Sequence, residues 1–396
     1  MNVGIVVDNE LYFDVRVLKE IDILQRRGYS VFALCLDHGH TREIEQLPFP
    51  VERIEISKKN KNRLFFFQNV FSGYERLWAN NVADFIGKYN IDVIHTHDLY
   101  MSKAVKKGIE KSKKHIPFVL DLHENFPEAV LSYTWTQGFL RNLLARPAAW
   151  KRKEGEYLNY ANQVIVLSES FKSELLSKYS FLKETAVTAF PNVINFSEFE
   201  KYPVNENLAK PAGTVLLYFG MVGKRRGIFE SLRAVAELKR RNHAVSLWVV
   251  GPVDKTDLHR FSNDIIELNI EKEVVHVPWV HLSELPSYLA KSDICLAPFE
   301  VNKQHESGIA NKLFQYLYGG KPVVASNCRP QREMIESYQC GIVFTNQDEF
   351  VNALEKLILH PELANTLGEN GKRHLFADYA GEAYENKLIS IYQNLH

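Results

Sequence analysis

Ser307-Gly308-Ile309-Ala310-Asn311-Lys312-Leu313-Phe314-Gln315-Tyr316-Leu317-Tyr318-Gly319-Gly320-Lys321-Pro322-Val323-Val324-Ala325 is the stretch that decides the fold. A small glycine-containing loop opens an amphipathic helix, which ends at Gly319-Gly320 and feeds an apolar strand. Just upstream, Ile294-Cys295-Leu296-Ala297-Pro298 reads as another buried strand. Strand, loop and helix N-terminus together make an anion site, because free backbone N–H groups and the helix dipole point outward together. A diphosphate suits such a site, and Gln315, within the helix, is placed to reach a ribose.

Outward from this motif, apolar runs alternate with helical patterns almost to the C-terminus. The first half predicts strands over 3–7, 30–36, 51–56, 91–96, 118–122 and 164–167, with helices near 16–27, 63–89, 101–114 and 139–161. The second half repeats the scheme, with strands over 215–219, 246–250, 274–277, 294–297, 322–325 and 341–344. Such βαβ alternation with doubly buried strands specifies parallel sheets covered by helices. Composition turns polar over 197–210 and swings back at 214. The expected architecture is therefore α/β, with two Rossmann-like domains, 1–195 and 196–378, whose sheets face each other across a cleft. The helix over 379–396 has no strand after it and is expected to return to the N-terminal domain. Ligands of open parallel sheets bind at the carboxyl ends of the strands.

Composition narrows the class. At 396 residues two domains are the prior, and 45% apolar with 24% charged residues is ordinary for a globular protein. Formal net charge is zero, which argues against a nucleic-acid partner. The four cysteines have no Cys-x-x-Cys spacing, as expected in a reducing compartment. Met1 leads straight into a short apolar strand without a charged flank, and no apolar run approaches the ~18 residues of a membrane span. The expected location is cytoplasmic, with the inner face of the membrane as a second station.

Gly220-Met221-Val222-Gly223-Lys224-Arg225-Arg226-Gly227 follows an apolar strand and opens a helix. Basic side chains and helix N–H groups there would stabilise charge that grows on a leaving phosphate. His95-Thr96-His97-Asp98 and Asp121-Leu122-His123-Glu124 end two strands of the first half. His-x-His invites a metal reading, but nothing nearby in sequence supplies a third ligand, and no Asp-x-Asp triplet occurs anywhere. The expected metal set is therefore none. The fingerprint Gly-x-Gly-x-x-Gly is absent after the first strand, which weighs against a dehydrogenase. Arg16, near a helix start, is expected either to approach an anion or to lie on the surface.

Taken together, the histidine-bearing first sheet, the Gly…Arg-Gly loop and the Asn-Lys-Leu-Phe-Gln-Tyr…Gly-Lys-Pro-Val-Val motif resemble the retaining GT-B glycosyltransferases of family 4, over essentially the whole chain. The resemblance implies transfer of a sugar from a UDP- or GDP-linked donor, with configuration retained and no cofactor beyond the donor substrate. It implies donor binding by Gly220, Gly223, Arg225, Glu306, Ser307, Gly308, Ile309, Ala310, Lys312 and Gln315 on the second domain. Arg226 with Lys224 would stabilise the departing diphosphate, and His123 would serve the transferred sugar. Arg16, His97 and Glu124 fall on the acceptor side. The partner expected there is a glycan or a lipid-linked acceptor.

Four positions depart from the family pattern. Met221 occupies the usual Arg position, Arg226 the usual Lys, and Ser307 and Gln315 the positions of two glutamates, with Glu306 one residue from the first. Arg226 keeps the positive charge of that Lys, whereas Met221, Ser307 and Gln315 motivate a non-catalytic sugar-nucleotide-binding partner as one alternative; a nucleotide-sugar epimerase on the same fold is another. The stretches 58–67 and 106–114 are basic, and the first joins an aromatic run. Both suit peripheral contact with an anionic membrane, and equally a solvated helix face over a buried Phe cluster.

Overall fold

The computed structural model describes residues 1–39, 47–136 and 138–395. The chain forms two units, Met1–Pro191 together with residues from Glu385 onward, and Asn192–Tyr384.

The first unit is built on a seven-stranded sheet: β1 Asn2–Val6, β2 Ser30–Asp37, β3 Val51–Glu55, β4 Val93–His97, β5 Phe118–Asp121, β6 Gln163–Val166 and β7 Val187–Ala189. The order is β3-β2-β1-β4-β5-β6-β7, with every pairing parallel. All five residues of β4 are buried, as a strand covered by helices on both faces requires. Helices α1 Val15–Arg26, α2 Gly73–Tyr89 and α3 Ser102–Ser112 flank this sheet. The core gathers Trp78, Phe85, Phe118 and Trp150, all buried.

A six-stranded parallel sheet carries the second unit: β8 Thr214–Phe219, β9 Val245–Val250, β10 Val274–Val277, β11 Ile294–Ala297, β12 Val323–Ser326 and β13 Gly341–Phe344, ordered β10-β9-β8-β11-β12-β13. Its core is made by Leu216, Leu232, Leu247, Phe350 and Leu354. Helices α4 Ile228–Arg240 and α5 Asn311–Tyr318 follow β8 and β11. The strand order reverses between β1 and β4 and again between β8 and β11, the switch points beside which open α/β sheets bind ligands.

All twelve expected strands are present, within one or two residues at most ends. Strand β7 was not expected, since three residues are too few to register as an apolar run. Two long expected helices are each divided. The span 63–89 becomes Lys58–Phe66, capped by the Ser57 hydroxyl, and α2, parted by a turn ahead of Gly73. The span 139–161 breaks at Arg146, whose φ is +48°, because the proline that follows disfavours right-handed helix at that residue. Helix α6, Glu382–Gln393, enters the first unit from Glu385 on, where Arg26 donates to the Glu385 carboxylate at 2.9 Å and the Tyr392 hydroxyl lies 2.6 Å from His95 Nδ1.

Candidate functional site

In the second unit, the loops after β8 and β11 are locked to each other. Gly220 and Gly227 adopt φ of +105° and +76°, and a Cβ on Gly227 would lie 1.7 Å from the Pro298 carbonyl oxygen, so only glycine fits there. The Glu300 N–H donates to the Arg225 carbonyl at 3.1 Å, and the Arg225 guanidinium donates to Gln304 Oε1 at 3.3 Å. Tyr316 was not singled out from sequence, yet it seats α5. Its buried hydroxyl accepts from the Phe219 N–H at 3.0 Å and donates to the Leu296 carbonyl at 3.2 Å, tying the helix to the ends of β8 and β11.

Where α5 begins, Ala310 is the N-cap and supplies no side-chain cap. Leu313 donates back to the Ala310 carbonyl. The five N–H groups before it, from Gly308 to Lys312, donate to no acceptor among the described residues. The first N–H groups of any helix lack an intrahelical acceptor, and here the open run begins at Gly308, three residues ahead of α5, in a half-buried loop whose geometry suits an anion.

Lys312 sharpens this. Its side chain is buried and its Nζ has no hydrogen-bond partner among the described residues. The ammonium lies 4.2 Å from the Tyr218 ring centroid and 5.1 Å from that of Phe299, and the Arg226 guanidinium lies 5.8 Å from the same Phe299 ring. Aromatic faces attract a cation but do not neutralise it. Burial first, and the neighbouring Arg226 second, push the Lys312 ammonium down to about 7. Met221 is exposed, and Lys312, from another element, brings a buried cation to the same cluster as Arg226.

The remaining expected donor residues divide. Gly223, Lys224, Arg225 and Arg226 share the loop, and the Lys224 N–H is taken by Asp257 Oδ2 at 2.7 Å. Gln315 is half-buried, and its amide makes no hydrogen bond among the described residues. Ser307 is buried, and its hydroxyl donates to the Lys303 carbonyl at 2.7 Å, so it serves the loop. Glu306 accepts from the Arg329 N–H at 3.4 Å, at the start of the helix Arg329–Tyr338.

In the first unit, register fixes the chemistry. His97 and Asp121 are paired positions at the ends of β4 and β5. The Asp14 carboxylate caps α1 by accepting from the Val17 N–H, and α1 then presents Arg16 and Glu20, four apart, on its buried side. The Arg16 guanidinium is 2.7 Å from Asp121 and 3.1 Å from Glu20, and it also donates to the Phe190 carbonyl at 3.3 Å. Arg16 is therefore a buried ion-pair residue rather than a surface arginine.

Burial alone would raise the Asp121 carboxyl, but Arg16 and the His97 hydrogen bond overcome it and hold it well below the usual range. His97 Nδ1 lies 2.9 Å from His123 Nε2, and one of the two must donate. Burial lowers His97, but Asp121 and Glu20 outweigh it and raise it, whereas burial holds His123 well below its ordinary value. His123 is thus the member of the pair held to its neutral form. His123 is also the more exposed of the two. His95 stacks on His97 with ring centroids 4.6 Å apart. Glu124 accepts from the Tyr133 hydroxyl at 2.6 Å.

The fold overturns one sequence argument. Glu20, His95, His97 and Asp121 bring one ligand atom each to within 4.8 Å of one another, so third and fourth ligands do exist. Arg16 already sits between the two carboxylates and supplies the positive charge a cation would bring, so this donor set does not fit a metal. Asp98, beside it, holds φ at +72°, a strained conformation costing about 1–3 kcal/mol, and burial followed by Glu124 raises its carboxyl to about 7. The His-Thr-His-Asp stretch was visible in sequence, but this backbone strain was not.

Residues 15–198 match the family model described as Glycosyltransferase Family 4, and residues 203–374 that described as Glycosyl transferases group 1. The capsular polysaccharide biosynthesis glycosyltransferase CapM of Staphylococcus aureus is 23% identical over 59% of this chain, which spans 61% of that relative's length. Among solved structures, sucrose-phosphate synthase from Thermosynechococcus elongatus superposes with a TM-score of 0.74 at 19% identity, over 100% of this chain and 99% of that one. HepE from Anabaena, in complex with UDP, gives 0.67 at 15% identity over 100% and 99%. At these identities the structural likeness speaks for the fold, which is GT-B. The two family matches follow one another along nearly the whole chain, each on one of its two Rossmann-like sheets, and the chain belongs to the group 1, family 4 glycosyltransferases.

Proposed function

We propose that the chain is a retaining glycosyltransferase that moves a sugar from a nucleotide-diphosphate donor to a glycan or lipid-linked acceptor without a metal ion. The observation that carries this reading is the run of open N–H groups from Gly308 to Lys312 beside the unpartnered Lys312 ammonium. These donors are arranged for an anion with several oxygens. As the bond from the sugar to the diphosphate breaks, negative charge grows on the leaving phosphate, and Lys312, Arg226 and the N–H groups stabilise it. The acceptor hydroxyl attacks on the face that the phosphate leaves, and its proton passes to the leaving phosphate oxygen. Gln315 holds ribose hydroxyls with its free amide. Neutral His123 serves the hydroxyls of the transferred sugar, the role the resemblance gives it. Because HepE is described with UDP, UDP-sugars are the first donors to test.

A second reading, binding of sugar nucleotide without turnover, draws on Ser307, which turns its hydroxyl into its own loop where a carboxylate is usual. Incubation with UDP- and GDP-sugars separates the readings. Released nucleotide marks a transferase, an altered sugar marks an epimerase, and binding without change marks the non-catalytic partner. Donor turnover that is lost in EDTA and restored by magnesium or manganese would overturn the metal-free mechanism.

A further inference from the structure

In the first unit, the short helix Phe139–Ala145 packs few of its own apolar side chains. Phe139, Leu140, Leu143 and Leu144 are 82%, 69%, 57% and 44% exposed. At about 100° per residue these four fall within one arc of the helix. A second exposed pair, Val70 and Phe71, follows the helix Lys58–Phe66. The two patches are joined: Asn69 Nδ2 donates to the carbonyls of Ala145 at 2.8 Å and Arg146 at 3.3 Å, and Lys153 Nζ donates to Asn69 Oδ1 at 2.8 Å. Two exposed apolar groups on segments tied to each other in this way mark an interaction site.

Charge says what covers it. Residues 57–73 carry four Lys or Arg and residues 138–153 carry five, with no Asp or Glu in either segment. Lys61 and Lys151 are engaged by Asp8 and Glu128, while Lys58, Lys59, Arg63, Arg146 and Arg152 are exposed. A second copy of the chain is a poor partner, because a self-complementary contact would set these like charges against one another. The basic stretch on α3 is not part of this surface. Lys106 pairs with Glu110, Lys107 with Glu75, and Lys111 and Lys114 with the side chains of Asn80 and Asn90.

We infer that the Phe139–Ala145 helix and the adjoining Val70-Phe71 turn dock on a bilayer containing anionic phospholipid. The apolar side chains enter the boundary between headgroups and acyl chains, and the surrounding cations meet lipid phosphates. The inference stands independently of the transfer chemistry proposed above.

The test is flotation of the full chain with vesicles of phosphatidylcholine alone or mixed with phosphatidylglycerol. The wild type is expected to float with the anionic vesicles, and less so as salt is raised. The double variant Phe139→Ser/Leu143→Ser and the double variant Arg146→Glu/Arg152→Glu should each lower the bound fraction roughly tenfold. All four side chains are exposed, so the melting temperature should stay unchanged, confirming that the variants fold. Three results would overturn the inference. One is wild-type chain that stays with the unbound fraction; another is binding that neither double variant reduces. The third is a wild-type dimer that Phe139→Ser/Leu143→Ser converts to monomer without vesicles, which would assign the face to self-association.

Discussion

In the first unit the buried Arg16 guanidinium is met by Asp121 and Glu20; in the second the buried Lys312 ammonium is met by two aromatic rings and, among the described residues, by no carboxylate. Both groups are cations removed from water, and burial alone does not distinguish them. The difference lies in where the opposite charge comes from. Arg16 finds it inside the protein, so its work is to hold α1 against the end of β5. Lys312 finds none among the described residues, which is why we propose that a ligand supplies it. The open N–H groups beside it repeat the same pattern in the backbone.

This contrast can be broken most sharply at Arg16. Arg16→Ala should destabilise the protein by about 3–5 kcal/mol, because Asp121 and Glu20 would remain buried without their cation. Denaturant unfolding of the variant checks this, and an unchanged midpoint would show that the pair is not structural. Arg226→Ala should do the reverse, leaving unfolding unchanged while costing about 2–4 kcal/mol of transition-state stabilisation, read from kcat/KM with the active donor.

At Lys312 the two effects should separate within one side chain. Lys312→Met is expected to raise stability by about 1 kcal/mol or more, since it removes an uncompensated buried charge, and to weaken binding of a UDP-sugar. Its pKa of about 7 also sets a pH dependence. Between about pH 7 and the ordinary lysine range, the folded chain has released this proton and the unfolded chain retains it. The unfolded state then binds more protons, so this residue's contribution to stability rises with pH across that window. Donor affinity should move the other way: steady below pH 7, where the ammonium is charged, and falling above it by up to about tenfold per pH unit. Calorimetry with wild type and Lys312→Met tests it; an identical pH slope in both would remove Lys312 from the donor site.

The smallest expected effect is at Gln315. Gln315→Ala should cost about 1 kcal/mol of nucleotide affinity, the net worth of one hydrogen bond, and Gln315→Glu should restore or improve it. Equal affinity of the Ala variant and wild type for both UDP and GDP would show that the ribose lies elsewhere.

Much of this was legible in sequence, and unevenly so. Twelve strands could be placed because a doubly buried parallel strand is a continuous apolar run. The glycine loop and the start of α5 were readable because left-handed turns and helix ends have local residue preferences. Arg16 was not readable. Arginine and glutamate four apart also describe an exposed helix face, and only Asp121, far along the chain, turns the pair inward. Lys312 stood inside the most informative motif, but its importance comes from Tyr218 and Phe299 on other elements. Tyr316 passed as an apolar helix position, because its hydroxyl partners lie at the ends of β8 and β11.

The contact between Tyr392 and His95 has a consequence for biosynthesis. The first unit closes with residues that the ribosome adds only after every strand of the second unit. The nascent first sheet must therefore wait, with His95 lacking its hydroxyl partner, through translation of nearly two hundred further residues. We expect the first unit to reach full protease resistance only after residues 385–395 have left the exit tunnel. Stalled chains cut at Tyr384 and probed by limited proteolysis would show it, and a first unit already resistant at that length would refute it.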